Sequence, residues 1–498
     1  MESTPDQPYR RCFFFSMNDP RHTRPPISPS EKPADTGSDT IVAVATPHGF
    51  GGIGIVRLSG PRALEIGRSL FTPASASGDA ASPAPRTMHV GSFMDEDGHT
   101  IDRGLFLFMP APASYTGEDV VELHGHGSPL VMERLLFHAI ACGARVACGG
   151  EFTRRAFMNG KLDLVQAEAV ADLIYASSTA AVRIATEQHA GGLSRSLFEI
   201  SGALLVLLSD LEVAVDFPDE ENDHMSPDLA LDRIIEIRTR VERLLDTFRR
   251  GRILREGARV VIAGRPNVGK SSIMNLLLER PRSIVTSDPG TTRDTIEELM
   301  VIGSVPIRLI DTCGIREVAS LPEREGVIRT LSAVEEADLV LVVTEADQPM
   351  NNDERALLTE IDESRVIVVC NKADLVPGGP ESFSPPDTSR TTVVTSATVP
   401  YGIADLADAI HNRLTIPRPG HSLSQEEQPV VSNARHFAAL SHARTSLNEA
   451  VASAARCESP EFISMDVRGA LTFLGDITGA VTADDVLDVI FSRFCIGK

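Results

Sequence analysis

The chain has 498 residues, of which 42% are hydrophobic, and a formal net charge of -22. This size predicts several domains with real cores, and the acidic balance excludes a general nucleic-acid coat, because such a coat draws its affinity from neutralised phosphates. No stretch approaches the roughly 18 apolar residues of a membrane helix, and seven scattered cysteines without Cys-x-x-Cys spacing indicate a reducing cytoplasm rather than a disulfide framework or a zinc site.

Strand patterns dominate the first part of the chain. Residues 1–38 are rich in Pro, Ser, Arg and Asp, which predicts a disordered leader. The runs TIVAVAT and GIGIVRLSG that follow are typical of strands around a glycine turn, and GLFLFMP and DVVELHGHG predict two more strands. We therefore expect an α+β domain over residues 39–160.

Helical spacing of apolar residues marks the next part and the last part of the chain. It runs through residues 163–212 and 228–250, and it returns in 433–457 and 464–494, after the proline-bearing TIPRPG. The pattern predicts one helical domain in two parts with another domain inserted between them. The expected bounds are 161–256 for the first helical part, 257–417 for the inserted domain and 418–498 for the second helical part.

The inserted segment opens with a glycine loop between a strand and a helix, GARVVIAGRPNVGKSSIMNLLL. Gly264-x-x-x-x-Gly269-Lys270-Ser271 has the spacing of a phosphate-binding loop. In such a loop, backbone N–H groups and the helix N-terminus cradle phosphates, Lys270 reaches the β and γ oxygens, and the Ser271 hydroxyl binds Mg²⁺. The alternating strands and helices that follow predict a nucleotide-binding domain.

Further motifs indicate which nucleotide is bound. IDTCG places Asp311 where a carboxylate can hold Mg²⁺ through water and Gly314 where a backbone N–H can meet the γ-phosphate. In VIVVCNKADL, the Asp374 carboxylate can accept both N–H groups of guanine, whereas adenine presents the wrong donors. The TSA run at 395–397 adds a loop whose backbone N–H can meet the guanine oxygen. These motifs in order predict GTP with Mg²⁺ as the ligand.

The segment SIVTSDPGTTRDT at 283–295 is predicted to be a conformational switch, because Thr292 can bind Mg²⁺ only while a γ-phosphate holds the loop. Many Ras-like proteins orient water with a glutamine after the Asp-x-x-Gly glycine, but here Ile315 follows and cannot polarise water. Charge stabilisation must therefore come from elsewhere. The residues predicted to contact the nucleotide and its ions are Asn267, Val268, Gly269, Lys270, Ser271, Ser272, Thr286, Ser287, Asp288, Pro289, Gly290, Thr291, Thr292, Asp311, Thr312, Cys313, Gly314, Asn371, Lys372, Ala373, Asp374, Ser396 and Ala397.

The motifs converge on one family. From residue 39 to residue 498 the chain resembles the MnmE (TrmE) family of tRNA-modification GTPases, through DTIVAVATPHGFGGIGIVRLSGP, SYTGEDVVELHGHG, GEFTRRAFMNGKLDLVQAEAVADLI, GRPNVGKSS, PGTTRD and the closing FCIGK. The resemblance implies an N-terminal folate-binding and dimerisation domain, a discontinuous helical domain and an inserted Ras-like P-loop GTPase domain. It also implies a homodimer, a heterotetramer with an FAD-dependent protein of the GidA (MnmG) type, and tRNA as a partner.

The resemblance also assigns a folate site. It implies that a 5-formyl- or methylene-tetrahydrofolate is held by Arg57, Glu122, Lys161 and Lys498. Cys495 resembles a cysteine proposed in the family to take part in the modification, and a buried apolar thiol is the alternative interpretation. The C-terminal lysine would then be docked on the protein rather than frayed.

For hydrolysis, the resemblance implies K⁺ in place of an arginine finger. The matching positions are Asn267, Thr286, Asp288 and Thr291, and a cation there supplies positive charge near the β and γ phosphates. Glu323, in LPEREGV, matches a glutamate that orients the attacking water and compensates for Ile315. Lys270, Glu323 and Cys495 are accordingly the predicted catalytic residues.

Two functions from different classes follow. The favoured one is a GTPase that, with the FAD-dependent partner, installs an aminomethyl or carboxymethylaminomethyl group on C5 of the wobble uridine of certain tRNAs, using a one-carbon folate. The alternative is a ribosome-assembly switch of the Era or Der type, which should bring a basic RNA module. GFGG and GGIG at 49–54 match the Gly-x-x-Gly of a KH loop, but their surroundings are apolar and lack a basic cluster.

Overall fold

Alternating burial along the N-terminal strands produces one sheet with a well-covered face. The structure, a computed structural model, describes residues 39–74, 83–216, 227–279, 297–303, 305–311, 333–383, 390–415, 429–481, 484–492 and 494–497. The first elements are β1 (Ile41–Val44), β2 (Gly51–Ser59), α1 (Ala63–Ser69), β3 (Phe71–Pro73), β4 (Met88–Met94), β5 (Thr100–Met109), β6 (Val120–Gly127), α2 (Pro129–Ala141), β7 (Arg145–Val146) and α3 (Glu151–Met158). The four strands predicted here correspond to β1, β2, β5 and β6, whereas β3, β4 and β7 were not predicted.

The seven strands form a sheet in the order β3-β4-β5-β6-β2-β1-β7. Neighbouring strands are antiparallel, except that β1 and β7 are parallel. Helices α1 and α2 pack on one face over a core that includes Val56, Phe106 and Leu123. Because side chains alternate along a strand, Arg57 and Glu122 lie on the other face, and the β2–β6 register sets them directly opposite each other.

Five helices follow with apolar faces at helical spacing, as predicted. They are α4 (Leu164–Tyr175), α5 (Thr179–His189), α6 (Gly192–Asp216), α7 (Pro227–Asp246) and α8 (Phe248–Glu256). The start of α4 is held by a capping box, in which the Asp163 side chain accepts from the Gln166 amide and the Gln166 side chain accepts from the Asp163 amide. None of the helices among the described residues is long and apolar enough to cross a membrane.

The inserted segment forms a second, mostly parallel sheet whose central strands are buried along their length, as strands covered on both faces are. Its elements are β8 (Ala258–Ala263), α9 (Lys270–Leu278), β9 (Glu297–Ile302), β10 (Val305–Asp311), β11 (Leu339–Glu345), α10 (Asn352–Glu360), β12 (Val366–Asn371), β13 (Thr392–Val394) and α11 (Ile403–Thr415). The strand order is β13-β12-β11-β8-β10-β9, with only β9 antiparallel to its neighbour. The carboxyl ends of β8, β10 and β12 therefore meet at one edge, where ligands bind in such sheets.

The chain then returns to the helices. The last elements are α12 (Ala434–Ala455), α13 (Pro460–Thr478) and α14 (Asp484–Phe491). The helical run predicted over 464–494 is interrupted, because Gly479 ends α13 in the left-handed region with φ of 87°. One core contains Leu204 and Val241 from before the insertion together with Leu447 and Val467 from after it.

A buried carboxylate joins the two helical parts. Glu168 on α4 accepts hydrogen bonds from Arg435 Nε at 2.9 Å and Nη2 at 3.0 Å, and from His436 Nε2 at 2.5 Å, all near the start of α12. Burial by itself would raise the pKa of Glu168, but the charges and hydrogen bonds of His436 and Arg435 lower this pKa to about 2. The carboxylate is thus charged and fully partnered in the folded protein.

The replacement Glu168→Gln should remove a pH-dependent contribution that the Glu168 carboxylate, with Arg435 and His436, makes to the free energy of unfolding. A glutamate pKa of 4.5 falls to about 2 on folding, so the stabilisation of about 3 kcal/mol is complete above pH 4.5 and lost as the pH falls towards 2. Calorimetric melting from pH 7 to pH 3 should show the variant melting lower at pH 7 and approaching the wild type as the pH falls. Asp210→Asn, which removes an exposed partner of Arg233, is the control, and a gap that stays constant with pH would contradict the assignment.

Candidate functional site

The phosphate loop between β8 and α9 depends on close backbone approaches. Gly264 has φ of 146°, and a Cβ on it would lie 2.3 Å from the Val343 carbonyl oxygen. Gly269 has φ of 93°, and a Cβ there would lie 2.3 Å from Asn371 Nδ2. Asn267 is exposed and also left-handed, with φ of 67°. The loop thus takes a shape that glycine tolerates best, directly before the N-terminus of α9.

The polar side chains at the start of α9 converge on the carboxyl edge of the sheet. Lys270 is buried, and its Nζ donates to the carbonyl oxygens of Gly264 at 2.9 Å and Arg265 at 2.7 Å. The Ser271 hydroxyl donates to Asp311 Oδ2 at 2.8 Å. A hydroxyl and a carboxylate oxygen in contact are the ligand types that Mg²⁺ prefers, so this pair fits a magnesium ion beside bound phosphates.

The residues of the Asn-Lys-x-Asp motif are tied to the phosphate loop. Asn371 Nδ2 donates to the Val268 carbonyl at 2.8 Å, and Asn371 is buried. The Lys372 ammonium pairs with Glu345, and Lys372 itself is left-handed. The buried Asn371 therefore links the phosphate loop directly to the segment predicted to read the base.

Asp374, the carboxylate predicted to read the base, is held in its charged form. The Ser396 hydroxyl donates to Asp374 Oδ1 at 2.5 Å, and this hydrogen bond holds the pKa of Asp374 below its ordinary value. In the TSA run, the Thr395 amide donates to Cys370 and the Ser396 amide to Tyr401. Among the described residues, the amide of Ala397 is then the one of the three without a hydrogen-bond partner, and it is the one predicted to meet a guanine oxygen.

A second group of polar side chains lies on the open face of the N-terminal sheet. Arg57 Nε donates to Glu122 Oε1 at 2.8 Å, and His124 Nε2 lies 3.0 Å from Glu122 Oε2. Burial alone would raise the pKa of Glu122, but the hydrogen bond from His124 and the Arg57 charge hold this pKa below its ordinary value. The Arg57 guanidinium lies 5.9 Å from the Tyr115 ring centre and 5.8 Å from that of Phe152.

The C-terminal tail docks against this group. Arg57 Nη1 donates to the Gly497 carbonyl at 3.3 Å, and Gly150 N donates to the Cys495 carbonyl at 3.2 Å. Ile496 forms an antiparallel bridge with Gly149. Gly497 has φ of 96°, and a Cβ on it would lie 2.4 Å from the Val44 carbonyl oxygen. Residues 494–497 are therefore held against the first sheet, although Lys498 itself lies outside the described residues.

The remaining predicted folate and thiol residues take different positions. Lys161 Nζ donates to the Pro112 carbonyl at 3.1 Å, and the hydrogen bonds of the described residues do not join it to Arg57 or Glu122. Cys495 is exposed, with Sγ 2.9 Å from the Tyr175 hydroxyl, so the alternative of a buried apolar thiol is wrong.

Sequence reasoning missed three neighbours of the Arg57–Glu122 pair, namely His124 beside Glu122, and Tyr115 and Phe152 beside Arg57. The histidine carried a usable signal, because a residue two positions after Glu122 in a strand shares its face. The two aromatic residues had none, since only the folded chain brings them near the arginine. The predicted site residues that lie outside the described part of the chain are Thr286, Ser287, Asp288, Pro289, Gly290, Thr291, Thr292, Thr312, Cys313, Gly314, Glu323 and Lys498.

A mostly parallel sheet, a phosphate loop between β8 and α9 and a Ser271–Asp311 pair that fits magnesium are typical of a P-loop GTPase, and Asp374 after β12 is the carboxylate predicted to read guanine. The protein-family model for the N-terminus of the GTP-binding protein TrmE matches residues 40–161. The protein-family model for the MnmE helical domain matches residues 164–495. The chain therefore belongs to the MnmE (TrmE) family of tRNA modification GTPases.

Individual relatives agree with this family. A tRNA modification GTPase MnmE of Geobacter metallireducens is 43% identical over 466 residues, covering 92% of this chain and 99% of the relative. One from Nitrosomonas europaea is 41% identical and covers 93% of this chain and 100% of the relative. The solved G domain of the T. maritima FeoB iron transporter is 27% identical over 31% of this chain and 98% of its own, with a TM-score of 0.24, a value too low to bear on the fold.

Replacing Asp374 by Asn should change the base that is bound. The substitution removes the acceptor for the two guanine N–H groups and offers a donor, so GTP affinity should fall roughly hundredfold while xanthosine triphosphate gains. Titration of both nucleotides by calorimetry measures the change, with Asp405→Asn, an exposed position on α11, as the matched control. An unchanged preference for GTP would refute the role of Asp374.

Proposed function

We propose that this tRNA modification GTPase, with an FAD-dependent partner of the GidA (MnmG) type, adds an aminomethyl or carboxymethylaminomethyl group to C5 of the wobble uridine of certain tRNAs. The observation that carries the proposal is the Arg57–Glu122 pair with the C-terminal tail docked on it, in the same chain as a GTP site. A switch of the Era or Der type has no use for such a pair.

The chemistry of the pair suits a folate. A charged, half-buried carboxylate accepts N–H groups of a pterin ring, while cationic groups balance the glutamyl carboxylates of the same molecule. Tyr115, half-buried beside Arg57, offers flat apolar surface to an aromatic ring, whereas Phe152 is fully buried and supports Arg57 from below. Bound there, a 5-formyl- or methylene-tetrahydrofolate would supply the one-carbon unit. The residues assigned to hold it are Arg57, Glu122, Lys161 and Lys498. Lys161 would first have to break its hydrogen bond to the Pro112 carbonyl.

Cys495 is the thiol assigned to the modification. Its exposure and its place two residues before Gly497, whose carbonyl contacts Arg57, support this role. Because the tail is docked, the thiol lies close in sequence to a residue that contacts Arg57 and is not on a free end of the chain.

GTP turnover is assigned to the other site. Lys270 binds the β and γ oxygens, Ser271 and Thr292 bind Mg²⁺, and Asp311 supports that ion through water. K⁺ is assigned to Asn267, Thr286, Asp288 and Thr291, and Glu323 to the orientation of the attacking water. The left-handed, exposed Asn267 next to the phosphate loop supports an ion ligand at this position.

The partners follow from the same proposal. We assign a homodimer, with tRNA and the FAD-dependent protein as further partners, and a cytoplasmic location based on the scattered cysteines. Because the net charge is -22, the tRNA contact must be local or supplied by the partner.

Mass analysis of wobble nucleosides, together with folate binding, tests the modification. In cells that lack the wild-type gene, Glu122→Gln and Gly497→Ala should each fail to restore the modified uridine, and purified protein should bind 5-formyl-tetrahydrofolate roughly tenfold more weakly or worse. The first change removes the acceptor charge, and the second undocks the tail. GTP turnover serves as the check that each variant is folded.

Glu65→Gln is the matched control, since Glu65 is exposed on α1 and pairs only with Arg62 among the described residues. It should restore modification and bind folate normally. If wobble nucleosides are the same with and without the chain, the ribosome-assembly alternative gains and the proposed function is wrong.

Turnover in different salts tests the potassium assignment. Ile315 stands where many Ras-like proteins have the glutamine that orients water, so the charge of the transition state must be stabilised by another group. If that group is K⁺, GTP hydrolysis should be fast in KCl and slow in NaCl. Asn267→Ala should erase the difference with a modest loss of GTP affinity. Arg293→Ala is the discriminating variant, because an arginine finger would be worth roughly a thousandfold or more in either salt. Equal rates of GTP hydrolysis by the wild type in both salts would refute the potassium assignment.

A further inference from the structure

Both ends of the inserted GTPase segment are fastened to the same helix, α4. Just before β8, Arg255 Nε donates to Asp172 Oδ2 at 2.8 Å. After the segment, Arg435 and His436 donate to Glu168, one turn earlier on α4. Two carboxylates on one face of α4 thus bind the chain segments directly before and after the GTPase domain.

Helix α8 connects this fastening to the nucleotide-binding sheet. Its Arg252 pairs with Asp338, the residue directly before β11, and Asp338 Oδ2 also accepts from the Arg259 amide of β8 at 3.0 Å. From β10, Arg308 Nε donates to the Glu256 carbonyl at the end of α8 at 3.0 Å. Strands β8 and β10 lead to the phosphate loop and to Asp311, so α8 contacts the strands that carry the phosphate and magnesium groups.

The other end of α4 reaches the C-terminal thiol. Tyr175 is the last residue of α4, and its hydroxyl lies 2.9 Å from Cys495 Sγ. Leu164 and Val170 of the same helix pack in a cluster with Phe491 and Phe494, just before Cys495. A shift of α4 would therefore move both the hydroxyl and the apolar support of the thiol.

Burial makes the connection between α8 and α4 stiff. Asp172 and Arg255 have side chains that are 14% and 25% exposed. Burial raises the pKa of Asp172 despite the opposing charge of Arg255, so this carboxylate depends on its partner. A largely buried ion pair is costly to break by moving one partner away, so we expect α4 to move with α8.

We infer that the Asp172–Arg255 pair, braced by Glu168 with Arg435 and His436, is a joint through which the nucleotide state of the GTPase domain sets the position and reactivity of Cys495. Asp172, Arg255 and Tyr175 are positioning residues that act on the thiol through α4. The inference rests on the proposed function only where it takes Cys495 as the thiol used in modification. The competing interpretation is a static brace, which would affect melting temperature alone.

Alkylation of Cys495 in the full chain tests the joint. The protein is treated with iodoacetamide in Mg²⁺ and KCl, with GDP or with a non-hydrolysable GTP analogue, and peptide mass spectrometry gives the rate at each cysteine. In the wild type the Cys495 rate should differ between the two nucleotides by about fivefold or more, the lower range of common couplings. Cys457, exposed beyond the far end of α12, is the internal control and should react equally in both.

Variants at the joint should remove the nucleotide dependence. Arg255→Gln and Asp172→Asn should each bring the ratio of the Cys495 rates close to one. The variant with both substitutions should show the same ratio as either single variant, because all of them remove the same bond. Tyr175→Phe should do the same from the thiol end, and because Tyr175 is 58% exposed, this variant decides the matter if Arg255→Gln does not fold. Arg233→Gln is the matched control, since it breaks a 2.7 Å pair between α7 and α6.

Three results would overturn the joint: equal Cys495 rates in both nucleotides for the wild type, a full ratio in both Arg255→Gln and Tyr175→Phe, or loss of the ratio in Arg233→Gln as well. A normal set of ratios in a protein that leaves wobble uridine unchanged would refute the proposed function while supporting the joint.

Discussion

The charged carboxylate of Glu168, buried in the helical core, is the constraint on which the rest of the structure depends. Its partner Arg435 lies 267 residues later in the chain, beyond the whole GTPase segment. Without that closure, the apolar faces of α6 and α7 would lack the faces of α12 and α13 that complete their core. A carboxylate can remain charged at such a depth only because two basic side chains satisfy it together. The chain that leaves the inserted domain is thereby fixed to α4, and the Arg255–Asp172 pair fixes the chain that enters it.

The two candidate sites use different sources of rigidity. The nucleotide site is set by backbone strain and close approach, since Gly264 and Gly269 admit the neighbouring chain where a side chain would collide. The proposed folate site is set by strand register, which places Arg57 across from Glu122. The first kind of rigidity suits a ligand bound by backbone N–H groups, and the second suits one bound by charged side chains.

The C-terminal tail connects the Arg57–Glu122 group to helix α4. It is anchored by Phe494 in an apolar cluster with α4 and by the contacts of Gly497 with β1 and Arg57. Helix α4 therefore touches the tail at one end and the GTPase linkers along its length. An enzyme that couples nucleotide turnover to chemistry elsewhere needs such a shared element, because coupling requires a physical part that both sites bias.

The sequence by itself predicted the nucleotide site, because the motifs that indicate it are local: Gly264 to Ser271, and Asn371 to Asp374, act through spacing and backbone conformation within a few residues. It also indicated the fold class, since the period of apolar residues separates strands from helices. Only the tertiary structure decided that Arg57 meets Gly497, 440 residues away, that Tyr115 and Phe152 flank the arginine, that Lys161 turns to Pro112 and that Cys495 is exposed beside Tyr175. Contacts of this kind depend on strand register and on the docking of distant segments, which many residues decide together and no short pattern encodes.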